Sequence, residues 1–190
     1  MIFKNFLNIK NNKIIKKNFL NLLKDQPLFF ETLKPTYKYS YSKKKISKYK
    51  KFSNIRLIGV GGSILGTEAI YDFLKKKIKK KLTFVNNLNS NADYFQDKNI
   101  NLNLIISKSG NTLETIANAH TLIKKRDSNL IITEDKDSYL TSLASKLKAE
   151  IFEHKNYISG RYSVLSEVGM LPAELMNLNE NKFKQLNNPV

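Results

Sequence analysis

From Ile55 onward the chain alternates between short apolar runs and longer amphipathic ones. Ile55–Val60, Leu82–Val85, Leu102–Ser107 and Leu130–Thr133 are strand-length runs rich in aliphatic and β-branched residues, and Glu150–Glu153 is a fifth candidate. Between them Leu65–Lys77, Asn91–Gln96, Thr112–Lys125 and Ser138–Leu147 read as helices, with Ile70, Phe73 and Leu74 expected to face inward from the first. A further apolar helical stretch runs from Leu165 to Leu175. Short apolar strands separated by helices predict an α/β fold with a parallel sheet covered on both faces. Ahead of this pattern, Asn12–Asp25 places Ile15, Phe19, Leu22 and Leu23 on one helical face. Pro27 and Pro35 then punctuate the chain, and Tyr37–Lys51 is a basic, tyrosine-bearing lead-in without periodicity. The tail after Leu178 is polar and offers no closing element. The expected organisation is an N-terminal helical extension over 1–50, a main domain over 51–178 and the start of a further segment over 179–190.

Composition narrows the classes. At 190 residues the chain holds one α/β domain or slightly more, and without cysteine it has neither a disulfide framework nor a thiolate metal site, which fits a cytoplasmic protein. His120 and His154 are too few and too scattered for a metal centre, so no metal or cofactor is expected. No apolar run approaches the length of a membrane span, and no membrane partner is expected. Met1–Leu23 is lysine-rich and free of acids, but it lacks the arginine, serine and small-residue cleavage pattern of a transit peptide, so it reads as an N-terminal helix. The net charge of +17 invites nucleic acid as a partner. Only Arg56, Arg126 and Arg161 among 33 basic residues are arginine, however, and the lysines travel with asparagine and isoleucine throughout. The charge is therefore read as a solvated lysine surface, with no nucleic-acid partner, able to draw anionic metabolites toward a site. The tyrosines among the lysines of the lead-in resemble a single-strand groove, but a connector packing tyrosines on the domain edge is preferred.

Chemistry concentrates at strand ends. Leu104–Ser107 runs into a polar turn with Gly110 and then a helix, so Ser107, Ser109 and Thr112 converge where unpaired helix amides and the positive end of the helix dipole lie. Two readings fit: an anion cradle, or an ordinary cap in which Thr112 caps and the serines are solvated. The turn Gly59-Val60-Gly61-Gly62-Ser63-Ile64-Leu65-Gly66 is not a dinucleotide loop, because Ile64 stands where the third glycine belongs and Asn86 and Asn87 replace the acid after the next strand. Nor is it a Walker loop. It is either a structural turn or a close backbone approach to a ligand with Ser63 as donor. Ser159-Gly160-Arg161-Tyr162-Ser163 offers an arginine that could meet developing negative charge or form a surface ion pair. In an open parallel sheet, ligands sit beyond the carboxyl ends of the strands near the switch in strand order, where the glycine and serine turns would share a crevice.

Together these three segments resemble the glucose-6-phosphate isomerase family, built from sugar-isomerase (SIS) domains, over about Ile55 to Leu178. The first resembles the family's G-I-G-G-S-x-L-G turn, and Ser107–Thr115 its S-K-S/T-G-x-T-x-E-T phosphate loop. Ser159–Gly169 resembles its G-G-R-Y-S-x-x-S-x-V-G block. The resemblance implies a flavodoxin-like parallel αβα sandwich and the interconversion of glucose 6-phosphate and fructose 6-phosphate through a cis-enediolate. Ser63, Ser107, Ser109 and Thr112 would hold the phosphate, the Lys108 and Gly110 backbone N–H groups would assist, and Gly62 would admit the sugar. Arg161 would stabilise the enediolate. Glu114 would support the loop structurally. Ser159 departs from the pattern, standing for its first glycine. The family's proton-abstracting glutamate, ring-opening histidine and a further lysine lie in a downstream half that this sequence does not reach. The expectation is an N-terminal fragment that binds sugar phosphate at most weakly and does not turn it over, from a protein that works as a homodimer. A non-catalytic sugar-phosphate-binding SIS module is the alternative.

Overall fold

The computed structural model describes residues 13–25, 27–88 and 101–185. Strands β1 (Asn54–Ile58), β2 (Lys81–Val85), β3 (Leu102–Ile106), β4 (Ser128–Thr133) and β5 (Glu150–Glu153) form one parallel sheet in the order β2-β1-β3-β4-β5. Every pairing is in parallel register, for example Leu57 with Leu104 and Ile105 with Ile131. The helices are α1 (Lys13–Asp25), α2 (Lys43–Ser47), α3 (Leu65–Leu74), α4 (Leu113–Leu122), α5 (Tyr139–Leu147), α6 (Glu167–Leu175) and α7 (Glu180–Phe183). The helix expected at Asn91–Gln96 lies outside the described residues.

Because successive strand side chains point to opposite faces, the sheet divides the core in two. Leu57, Leu104, Ile106, Leu130 and Ile132 pack toward α6 with Ile70 of α3 and Ile46 of α2. Ile58, Ile105 and Ile131 pack toward Ala119 and Leu122 of α4 and Leu140 and Leu143 of α5. Burial on both faces explains why β3 reads as a continuous run rather than an alternating one. The covered parallel sheet expected from the pattern, and the αβα sandwich that the resemblance implies, are the fold that forms.

Helix α6 is buried along its whole length although it contains Glu167, Pro172 and Glu174. Proline supplies no N–H to the Val168 carbonyl four residues earlier. That carbonyl accepts the Thr67 hydroxyl of α3 instead, at 3.2 Å, so the lost helical bond is replaced from a neighbouring helix. Glu167 is fully buried, and its carboxylate accepts the Tyr37 hydroxyl (2.9 Å) and the Ser40 N–H (2.8 Å). Burial, reinforced by that carboxylate, holds the Tyr37 phenol far above its usual pKa range. Glu174 pairs with Lys50 at 2.5 Å. These acids fasten the lead-in to α6. The tyrosines expected at the domain edge therefore sit deeper: Tyr41 and Tyr49 belong to the core, on either side of Ile46.

Other expectations shift in detail. Phe73 is 87% exposed rather than inward-facing. Thr67, Ile70 and Leu74 define the inner stripe of α3, and at ~100° per residue Phe73 falls roughly 90° away from it. Helix α1 forms, yet Ile15, Phe19 and Leu22 stay 60, 57 and 46% exposed. The tail does contain a further element, because the Asn179 side chain accepts the Asn181 N–H and starts α7.

Candidate functional site

The chain passes from β1 outward to β2 and then returns to the other side of β1 as β3, so the sheet's switch point lies between β1 and β3. Both polar turns leave the carboxyl ends of those two strands. After β3, the Ser107 and Thr112 hydroxyls lie 2.8 Å apart, and Ser109 Oγ is 3.5 Å from each. Ser107 is buried and Ser109 exposed, so the cluster opens outward. Thr112 occupies the N-cap position of α4 but makes no side-chain cap bond. Its hydroxyl turns to the serines instead, and the ordinary-cap reading of this turn does not describe the structure. The first-turn amides of α4, which a cap would satisfy, stay available for an anion.

The loop is shaped by tight backbone contacts. The Gly110 N–H, expected to assist in holding a phosphate, instead donates to the Ser107 carbonyl at 3.2 Å and closes the turn, with Gly110 at φ +69°. A Cβ there would lie 2.2 Å from Ser138 Oγ, which leaves room only for glycine. The Lys108 carbonyl accepts the Glu134 N–H at 3.1 Å. The Lys108 side chain reaches away from the serines, donating to the Asn156 carbonyl at 2.6 Å and lying 3.6 Å from Glu134. Lys136, hydrogen-bonded to Glu134, holds that carboxyl below its usual range. Thr115, in the first turn of α4, is a residue that pattern reading passed over. Its buried hydroxyl has no hydrogen-bond partner among the described residues, and only its place in the loop motif could have signalled it.

The glycine turn after β1 meets the arginine block directly. A Cβ on Gly62 would lie 2.3 Å from the Gly160 carbonyl carbon, and the Ser163 hydroxyl donates to the Gly62 carbonyl at 3.0 Å. Ser159 adopts φ −80°, ψ 157°, ordinary extended backbone, so serine is accommodated where the family pattern has glycine. Arg161 is exposed and carries no ion pair or hydrogen bond among the described residues. It lines a cavity of about 260 Å³ with Gly62, Gly66 and Val164, and a second of about 390 Å³ with Phe29, Tyr162 and Leu165. Phe29 stacks on Tyr162 with ring centroids 4.4 Å apart. Ser63 follows the same glycines and is half-buried.

The histidines take no part in these turns. His120 is exposed and contacts the Tyr139 hydroxyl. His154 is 2% exposed with Nδ1 3.2 Å from the Lys155 carbonyl, and burial pushes its imidazole below the usual pKa. No cluster of three metal-ligating side chains occurs among the described residues, and no described helix is long and apolar enough to cross a membrane.

The five-stranded parallel αβα fold is shared with solved structures that include a sugar-phosphate isomerase. A hypothetical protein from Thermus thermophilus superposes with a TM-score of 0.74 at 18% identity, covering 90% of this chain and 46% of that one. The tagatose-6-phosphate ketose/aldose isomerase of Escherichia coli superposes at 0.54 and 17% identity, covering 88% and 45%. The relationship is closer in sequence than these folds indicate. Residues 38–188 match the Phosphoglucose isomerase family, and the Glucose-6-phosphate isomerase of Methanocaldococcus jannaschii is 36% identical over 152 residues, 73% of this chain. The chain belongs to the phosphoglucose isomerase family, and it spans 37% of the length of that archaeal relative.

Proposed function

We propose that this chain supplies the phosphate-anchoring and charge-stabilising part of a glucose-6-phosphate isomerase active site. The observation that carries this reading is the uncapped N-terminus of α4, with the Ser107, Ser109 and Thr112 hydroxyls gathered beside it. Those hydroxyls, with Ser63 and the Lys108 N–H, hold the phosphate of glucose 6-phosphate or fructose 6-phosphate. Gly110 sets the turn, and Gly62 lets the sugar approach the backbone. Arg161, without an ion partner among the described residues, meets the negative charge that appears on the enediolate when a proton leaves C2 and returns to C1. Phosphate anchoring fixes the sugar relative to Arg161, so remote binding energy is converted into orientation at the reacting carbons.

No carboxylate or histidine of this chain matches the family's proton-transfer motifs, and general-base catalysis is worth ~10²–10⁴-fold. The chain alone therefore binds sugar phosphate weakly and without turnover, and the glucose-6-phosphate isomerase to which this site belongs works as a cytoplasmic homodimer. The rival reading, a non-catalytic SIS sensor, gives no role to the arginine block. The test is thermal stabilisation of the 190-residue chain by fructose 6-phosphate. At 100 Kd of ligand the stabilisation is ~2.7 kcal/mol, or roughly 5–11 °C for a chain of this size. The Ser107→Ala, Thr112→Ala double variant abolishes it. If the double variant is stabilised as strongly as the wild type, the anion site is elsewhere.

A further inference from the structure

Helices α4 and α5 both present their N-termini beside the serine loop, but they use them differently. On α4 the Thr112 side chain makes no cap bond. On α5 each of the first three amides has an acceptor. The Thr141 N–H donates to Ser138 Oγ at 3.3 Å, the Leu140 N–H to the Gly110 carbonyl at 3.0 Å, and the Tyr139 N–H to Asn111 Oδ1 at 2.8 Å. Two of these three acceptors belong to the serine loop. One helix N-terminus thus grips the loop so that the other can face an anion.

We propose that Asn111 is a positioning residue for phosphate binding, acting by capping α5 from within the loop. This inference rests on the sugar-phosphate reading given above. Asn111 is bound at both ends: its side chain takes the Tyr139 N–H, and its own N–H donates to Ser109 Oγ at 3.2 Å. It therefore links the outermost hydroxyl of the cradle to a rigid helix. The backbone anchors, the Leu140 N–H to the Gly110 carbonyl and the Glu134 N–H to the Lys108 carbonyl, lie on its N-terminal side, while on its C-terminal side Thr112 is tied to the loop through the cradle hydroxyls of Ser107 and Ser109. Without the Asn111 cap, the segment between Gly110 and α4 samples more conformations, and only the fraction in the cradle shape binds.

A net hydrogen bond is worth about 0.5–1.5 kcal/mol, so Asn111→Ala weakens fructose 6-phosphate binding by roughly 2- to 13-fold. The unliganded melting temperature changes by only a few degrees, because the backbone anchors remain. The decisive measurement is calorimetric affinity for fructose 6-phosphate across a mutant cycle on the 190-residue chain. Tyr139→Pro deletes the donor at a first-turn position that tolerates proline, and Ser138 before it is already extended at φ −158°, ψ 168°. Tyr139→Ala removes the ring but keeps the N–H. Asn111→Ala is expected to weaken binding fully in the Tyr139→Ala background and not at all in the Tyr139→Pro background. Wild-type affinity in Asn111→Ala, or an undiminished effect in the Tyr139→Pro background, overturns the proposal. Should Asn111→Ala fail to fold, Tyr139→Pro against Tyr139→Ala reads the same bond from its other end, and equal affinities there overturn it. A wild-type chain that binds no fructose 6-phosphate removes the functional reading and this proposal together.

Discussion

Two glycines of the site turns adopt left-handed backbone, and replacing each by alanine separates strain from crowding. Gly61 sits at φ +56° with nothing within 4 Å of a built Cβ, whereas Gly110 sits at φ +69° with Ser138 Oγ at 2.2 Å, Ser138 Cβ at 2.6 Å and Thr133 Oγ1 at 2.9 Å. A side chain in this region costs ~1–2 kcal/mol at either position. Gly110→Ala adds overpacking: rotating the serine hydroxyl away still leaves its Cβ too close, so the β4–α5 connection must move, at ~1–3 kcal/mol. The expected losses are ~1–2 kcal/mol for Gly61→Ala and ~2–5 kcal/mol for Gly110→Ala. Urea unfolding followed by circular dichroism reads both, with unchanged slopes and a midpoint for Gly110→Ala lower by roughly 0.5–2 M than that of Gly61→Ala. Equal midpoints for the two variants would refute the claim that the serine loop is pressed against α5.

Tyr37→Phe removes one of the two donors to the buried Glu167 carboxylate, and hydrogen bonds to charged groups are worth ~1.5–3 kcal/mol; denaturant unfolding should show that loss, and a change under about 0.5 kcal/mol would mean the lead-in is not held by Glu167. His154 has a folded-state pKa depressed by burial, so the unfolded chain binds more protons as pH falls through ~6.5. The stability this histidine contributes is present above that pH and is lost on acidification until the folded-state pKa is reached. Melting temperatures from about pH 7.5 to 5.5 should therefore fall more steeply in the wild type than in His154→Gln, and parallel curves would contradict the assignment.

The layer order of the domain is readable because its strands are buried on both faces, so Leu102–Ile106 and Leu130–Thr133 are apolar at every face-alternating position but a few. Polar exceptions conceal a different logic. Arg56 lies within β1 and is 3% exposed, donating to Asn103 Oδ1 (3.2 Å) and to the Leu122 carbonyl at the end of α4 (3.0 Å). Such partners come from distant segments, and no local pattern announces them. The same holds for Tyr37 and Glu167, which are 130 residues apart and anchor a lead-in that shows no period of its own. At the candidate site, motif spacing singled out the serine, glycine and arginine segments, which the fold places at the ends of β1 and β3 and against the Gly62 turn. It could not decide whether Thr112 caps its helix, because that depends on where one hydroxyl points. Nor could it show that Asn111 serves a helix beginning 28 residues later.

The central claim is that the serine loop binds the phosphate while the arginine block meets the sugar, and an amide chemical-shift titration reads both at once. With fructose 6-phosphate, shifts are predicted at residues 61–63, 107–115 and 160–163. Inorganic phosphate is predicted to reproduce only those at 107–115. Shifts scattered over the lysine-rich surface, or the same pattern with both ligands, would contradict the account.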